Sequence, residues 1–262
     1  MKLHIVPART GLLWVKLGLR TFWAQPLALS GLFFMFITAM SLASLLPYLG
    51  TALALALLPA ATLGLMAATR DASQGKFPMP AILVSAFRAG RQQARAMVVL
   101  GAVYALGFLA VLGASALVDG GSFARLYLVG GAVTPELVQT GEFQAAMWLA
   151  MGLYLPFSML FWHAPALVHW HGISPLKSLF FSGVACLRNF GAMTVFTLAW
   201  MGLFVAVGMF LLLLAALLGQ PELLAIVMFP TAMLLAAMFF SSIYFTFRDS
   251  FDAEDAAPPA AA

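Results

Sequence analysis

Charge is scarce in this sequence. Of 262 residues only 8% are charged, while 63% are apolar. A soluble domain carries about 25% charged and about 45–50% apolar residues. A water-exposed surface cannot be assembled from this composition, which excludes a soluble enzyme or binding module. Cysteine is nearly absent too. Cys186 stands alone, so neither an internal disulfide nor a CxxC site can form. Basic residues outnumber acidic ones only 13 to 9, too few and too dispersed for the concentrated basic face that nucleic acid requires. Residues 1–25 lack a compact apolar core followed by a small-residue cleavage site, so no cleavable leader is expected.

What fills the chain instead is long apolar runs, at 26–46, 51–68, 97–118, 143–167, 191–218 and 222–247. Crossing a bilayer takes about 20 apolar residues, with a range of about 17–25. Six crossings are therefore expected. Three runs carry an internal proline in a similar phrase: Leu58-Pro59-Ala60, Leu155-Pro156-Phe157 and Phe229-Pro230-Thr231. A helix-interior proline leaves the carbonyl four residues back without its donor; here those are Leu55, Gly152 and Ile226. Inside a bilayer, neighbouring helices and hydroxyls can satisfy such groups, and Thr62, Ser158 and Thr231 stand close by.

Three further stretches are amphipathic. In residues 1–25, Arg9, Lys16 and Arg20 fall on one helical stripe, with Leu13, Trp14, Leu17, Phe22 and Trp23 covering much of the rest. Residues 81–96 hold Arg88, Arg91 and Arg95 at i, i+3 and i+7, and the stretch opened by Ser174-Pro175 holds Lys177 and Arg188 on one face. Basic amphipathic helices lie in the headgroup layer. These eight cations are the candidate lipid-headgroup contacts, with plain anchoring favoured over specific docking. The order of amphipathic helix, span, then span with proline occurs three times, giving repeat units near 7–69, 80–172 and 174–247. A single membrane domain over 1–247 and a disordered acidic tail over 248–262 follow.

Topology comes from the basic residues. Twelve of the thirteen lie at the two ends or in the loops after spans two and four, and only Arg125 lies opposite. Short loops rich in Lys and Arg stay in the cytoplasm, so both termini are expected there.

Candidate chemistry is sparse. No Asp, Glu, Lys or Arg falls near the middle of a span, which counts against a proton- or ion-coupled transporter. His163, His169 and His171 cluster at the end of span four, beside Trp162 and Trp170. They are weak metal candidates, since no acidic or cysteine partner stands near them in sequence. An interfacial role at headgroup level is the expectation. Ser158 and His163, five apart, form no catalytic pair on one helix face, and no cofactor is called for.

The segments Gly11-Leu12-Leu13-Trp14, Leu46-Pro47-Tyr48-Leu49-Gly50, Ala164-Pro165-Ala166-Leu167-Val168 and Gly172-Ile173-Ser174-Pro175, ending at Arg188-Asn189, resemble an uncharacterised family of multi-pass inner-membrane proteins of proteobacteria. The resemblance covers the chain up to Phe247. It implies an integral inner-membrane protein and brings no activity, cofactor or site residue. The fold expected is all-α: a polytopic membrane protein of six transmembrane helices with three cytoplasmic amphipathic interfacial helices. The function expected is non-enzymatic, organising membrane lipid or membrane-protein partners. The alternative is a transporter or passive path for a small or lipidic substrate, and an enzyme or haem protein ranks last.

Overall fold

The structure, a computed structural model, describes residues 2–46, 49–131 and 133–251. All regular structure among them is helical. In chain order the helices are α1 (Thr10–Ala24), α2 (Pro26–Ser44), α3 (Gly50–Ser73), α4 (Ser85–Arg88), α5 (Arg91–Asp119), α6 (Ser122–Val129), α7 (Pro135–Val138), α8 (Gly141–Trp162), α9 (Ala164–His171), α10 (Pro175–Arg188), α11 (Phe190–Leu217) and α12 (Pro221–Phe251). A 3-10 turn, Pro80–Val84, precedes α4. Six segments are long and apolar enough to cross a membrane: Pro26–Ser44, Gly50–Ser73, Arg91–Asp119, Gly141–His171, Phe190–Leu217 and Ile226–Phe251. The outward side chains agree with a lipid solvent. Phe210 is 63% exposed and Leu213 59%. A contiguous apolar surface of that kind is a liability in water and the normal exterior in hydrocarbon.

The chain divides into two compact units. One draws on Met1–Phe36, Thr62–Ser85 and Val184–Ala262, the other on Ile37–Ala61 and Ala86–Gly183. In the first unit α1 lies against α11 and α12. Gly11 and Gly18 make that approach possible. A Cβ on Gly11 would strike the Ala192 carbonyl, and one on Gly18 would sit 2.7 Å from Ser242 Cα. Trp14 is enclosed between them and meets Phe196 edge to face at 6.1 Å. Nearby, Trp200 packs on Phe239 and donates its ring N–H to Ser242 Oγ at 3.1 Å. In the second unit α5 packs along α8 and α9. Gly101 lets α5 meet the Ala56 carbonyl of α3, and Gly107 lies against the Phe157 ring. Tyr104, Phe108, Tyr154, Phe157 and Phe161 join in an aromatic cluster there.

Pro59, Pro156 and Pro230 all lie inside helices, in α3, α8 and α12. Helix starts match their sequence signals. Ser174-Pro175 opens α10, and Thr134 Oγ1 accepts the Leu137 N–H at the start of α7.

Three expectations are corrected. The second amphipathic helix does not form as one piece. Gly90 adopts φ 121°, in a region that disfavours other residues, and separates α4 from α5. Arg88 ends α4 while Arg91 and Arg95 open the third spanning helix. The three arginines therefore do not share one helical face. The fourth span is interrupted at His163, where α8 stops and α9 begins with Pro165 near its start. The acidic tail begins later than its composition suggests, because Arg248, Asp249, Ser250 and Phe251 complete α12. The expected disorder of the remainder, 252–262, lies outside the described residues.

Candidate functional site

Helix α1 presents two opposite faces. Gly11, Trp14, Val15, Gly18, Thr21 and Phe22 are buried, while Arg9, Lys16 and Arg20 are exposed. At about 100° per residue the three cations centre on the side opposite the buried arc. Trp14, Val15 and Phe22 are thus turned into protein, against α11 and α12, while the basic stripe is exposed together with Leu12, Leu13 and Trp23, which flank it. Lys177 and Arg188 are likewise exposed on α10, whose Ser178, Ser182, Ala185 and Cys186 are buried. Arg88, Arg91 and Arg95 are exposed as well.

Two polar nodes, the first half-buried and the second centred on a buried amide, fasten the N-terminal region within the first unit. The first joins α1 to the end of α12. Trp14 Nε1–H donates to Asp249 Oδ2 at 2.9 Å, and Arg248 pairs with the other carboxylate oxygen at 2.8 Å. The Arg248 guanidinium also lies over the Phe245 ring, 4.9 Å from its centre. The second is Asn189, between α10 and α11 and 2% exposed. Its Oδ1 accepts the Val6 N–H at 2.8 Å, and its Nδ2 donates to the His4 carbonyl at 3.1 Å and reaches Ser250 Oγ at 3.4 Å. The His4 N–H donates to the Ser250 carbonyl at 2.9 Å. One amide side chain thereby ties the N-terminal segment, the α10–α11 junction and the last turn of α12.

A third node explains the interruption of the fourth span. Ser182 Oγ donates to the Met159 carbonyl at 2.8 Å and accepts the His163 N–H at 2.9 Å. In an unbroken helix that N–H would bond that carbonyl directly. The hydroxyl of α10 is inserted into the backbone ladder, one of the recognised causes of a helix break. Pro165, which has no N–H, follows two residues on.

The histidines do not share the interface as expected. His163 is enclosed, with 1% of its surface exposed, whereas His169 and His171 are half-buried in the last turn of α9. The interfacial role therefore does not extend to His163. Among the described residues no group of three or more His, Cys, Asp or Glu is placed to hold a metal ion. Ser158 Oγ donates to the Leu155 carbonyl at 2.8 Å, so this hydroxyl serves the backbone near Pro156. Sequence inspection missed Asn189, Ser182 and Asp249. Each is a lone polar residue among apolar neighbours whose partner is fixed only by the fold. A tyrosine pair was missed too: the Tyr104 and Tyr154 hydroxyls lie 3.5 Å apart within the spans.

A curated relative from Burkholderia thailandensis, named a probable inner membrane protein, is 39% identical over 262 residues, covering 99% of this chain and 97% of its own. No family model matches the sequence. No solved structure matches it.

Proposed function

The chain belongs to the same family of multi-pass inner-membrane proteins as the Burkholderia thailandensis relative, and from that premise we propose that it organises anionic lipid at the cytoplasmic face without catalysing a reaction. The observation that supports this is the basic stripe of α1. Arg9, Lys16 and Arg20 are exposed opposite a face locked into α11 and α12. A free amphipathic helix would turn its apolar side to the acyl chains. Here protein occupies the side of Trp14 and Phe22, so packing fixes the orientation of the cations, and the exposed Leu12, Leu13 and Trp23 beside them add apolar surface to the same outward side. Each cation near an anionic surface contributes about 1 kcal/mol. The count of basic residues supports the same side for both ends of the chain and for this stripe, the cytoplasm.

Membrane-protein partners that present acidic surfaces would use the same stripe. A passive path gains less support. The internal prolines are what suggest it, yet only Pro59 is enclosed, and Pro156 and Pro230 stand on exposed faces of their helices.

The test is lipid enrichment. Purified protein equilibrated in bilayers of mixed phosphatidylglycerol and phosphatidylethanolamine should retain the anionic lipid preferentially. The triple variant R9Q/K16Q/R20Q should lose a large part of that enrichment. An unselective lipid shell, together with no crosslinked partner in cells, would contradict the proposal.

A further inference from the structure

In the second unit, a cleft of about 620 Å³ opens at the start of α5. Its polar wall is Arg91, Gln92, Gln93 and Arg95, the first turn and a half of that helix. The facing wall is the turn from Gly172 to Pro175 that leads into α10, and Val99 and Ile173 supply apolar surface. The volume falls within the range of about 300–1,000 Å³ typical of ligand pockets. Neither Arg91 nor Arg95 has an ion-pair partner among the described residues. Two guanidinium groups one helical turn apart, without a carboxylate to neutralise them, form a strong field for one anion. No side chain caps the first turn of α5 beyond Gly90, so its unbonded N–H groups add to the positive potential.

We infer that this cleft binds a phosphate group carrying net negative charge, supplied by the headgroup of an anionic phospholipid. This rests on the proposed placement of the basic face at the cytoplasmic headgroup layer. It differs from the α1 stripe in kind. The stripe offers cations to any anionic surface, whereas the cleft, half open to its surroundings, offers one ligand two walls. The choice of phosphate follows from the guanidinium pair, which matches its several oxygens, and from two glutamine amides that can donate or accept beside it. A lipid suits the site better than a soluble anion because Val99 and Ile173 continue the wall with apolar surface, where a glyceryl or acyl segment can lie. Basic pockets between spanning helices on the cytoplasmic side are a known physical solution for anionic headgroups.

The break at Gly90 is what makes the cleft. Had residues 81–96 formed one amphipathic helix, Arg91 and Arg95 would lie along the membrane surface. Because Gly90 turns the chain, the two arginines stand on the end of a spanning helix, facing the turn that precedes α10.

The experiment is native mass spectrometry of the full-length protein in detergent, titrated with phosphatidylglycerol or with phosphatidylcholine of the same acyl chains. Inorganic phosphate and glycerol 3-phosphate serve as competitors. The wild type is expected to hold phosphatidylglycerol roughly tenfold or more tightly than phosphatidylcholine. R91Q/R95Q should abolish that ratio, R91K/R95K should keep only the part that charge alone supplies, and K16Q/R20Q should leave a tightly held first lipid in place. An unchanged melting temperature for R91Q/R95Q separates lost binding from lost folding. If R91Q/R95Q keeps the full preference while K16Q/R20Q loses it, the cleft is overturned and the stripe survives. If the wild type shows no anionic preference at all, both fall. Millimolar phosphate that binds through the arginines with no lipid preference would overturn the lipid and assign the cleft to a free anion.

Discussion

The ring N–H of Trp14 and the carboxylate of Asp249 meet at 2.9 Å although 235 positions separate them in the chain. This contact closes α1 onto the last turn of α12, and Arg248 holds the same carboxylate from its other side. A hydrogen bond to a charged partner contributes about 1.5–3 kcal/mol. D249A should lower the melting temperature in detergent by roughly 5 °C, and W14F should do so by a similar amount. The double variant should be clearly less than additive, since both substitutions remove one bond. Strict additivity in a double-mutant cycle would show that the contact contributes nothing of its own.

Asn189 is expected to be the most sensitive polar position outside the spans. Its amide satisfies the Val6 N–H and the His4 carbonyl at once. N189A leaves both half-buried backbone groups without this partner, at up to about 1–3 kcal/mol in all. N189D keeps the acceptor but loses the donor and introduces a charge. Both variants should release residues 2–8 to limited proteolysis before the rest of the chain, with N189D the weaker fold. Protection of that segment equal to wild type would refute the role.

Gly18 and Gly31 make a controlled pair. A Cβ at Gly18 would meet Ser242 Cα at 2.7 Å and Ser242 N at 2.9 Å, whereas one at Gly31 meets nothing within 4 Å. G18A should therefore force α1 away from α12 and cost several degrees of melting temperature. G31A should be neutral or slightly stabilising, because alanine is the better helix former. Equal effects at the two positions would mean that α1 is not packed as described.

The six spans were legible because hydrocarbon thickness sets a run length that composition reveals directly. The helical character of α1 was legible for a related reason: Arg9, Lys16 and Arg20 mark one stripe, and a stripe implies the opposite face. What covers that face was not. Gly11 and Gly18 weaken an isolated helix, and only the presence of Ala192 and Ser242 shows why they are small. Asp249 looks like part of the tail because the apolar run ends at Phe247, two residues earlier. Its partner lies at the other end of the sequence. Gly90 gives no signal in the sequence because the i, i+3, i+7 spacing of the arginines suggests a helix through it. A positive φ interrupts that spacing without changing it in the sequence. Ser182 and Asn189 carry no local pattern at all, since a hydroxyl or amide that serves a distant backbone leaves no periodic trace.

Side-chain accessibility in intact cells tests the central claim, that the six spans carry the basic face inside, most directly. Cys186 is buried, and burial pushes its thiol up to about 12. At neutral pH the folded protein then holds almost no thiolate there, so the wild type should be silent to an impermeant maleimide. In that background, cysteines placed at Arg125 and Glu136 should label from the periplasmic side of intact spheroplasts. Cysteines at Lys16, Arg95 and Lys177 should label only after the membrane is opened. Labelling of Lys16 or Lys177 positions from outside, or of the Arg125 position only from within, would contradict the account.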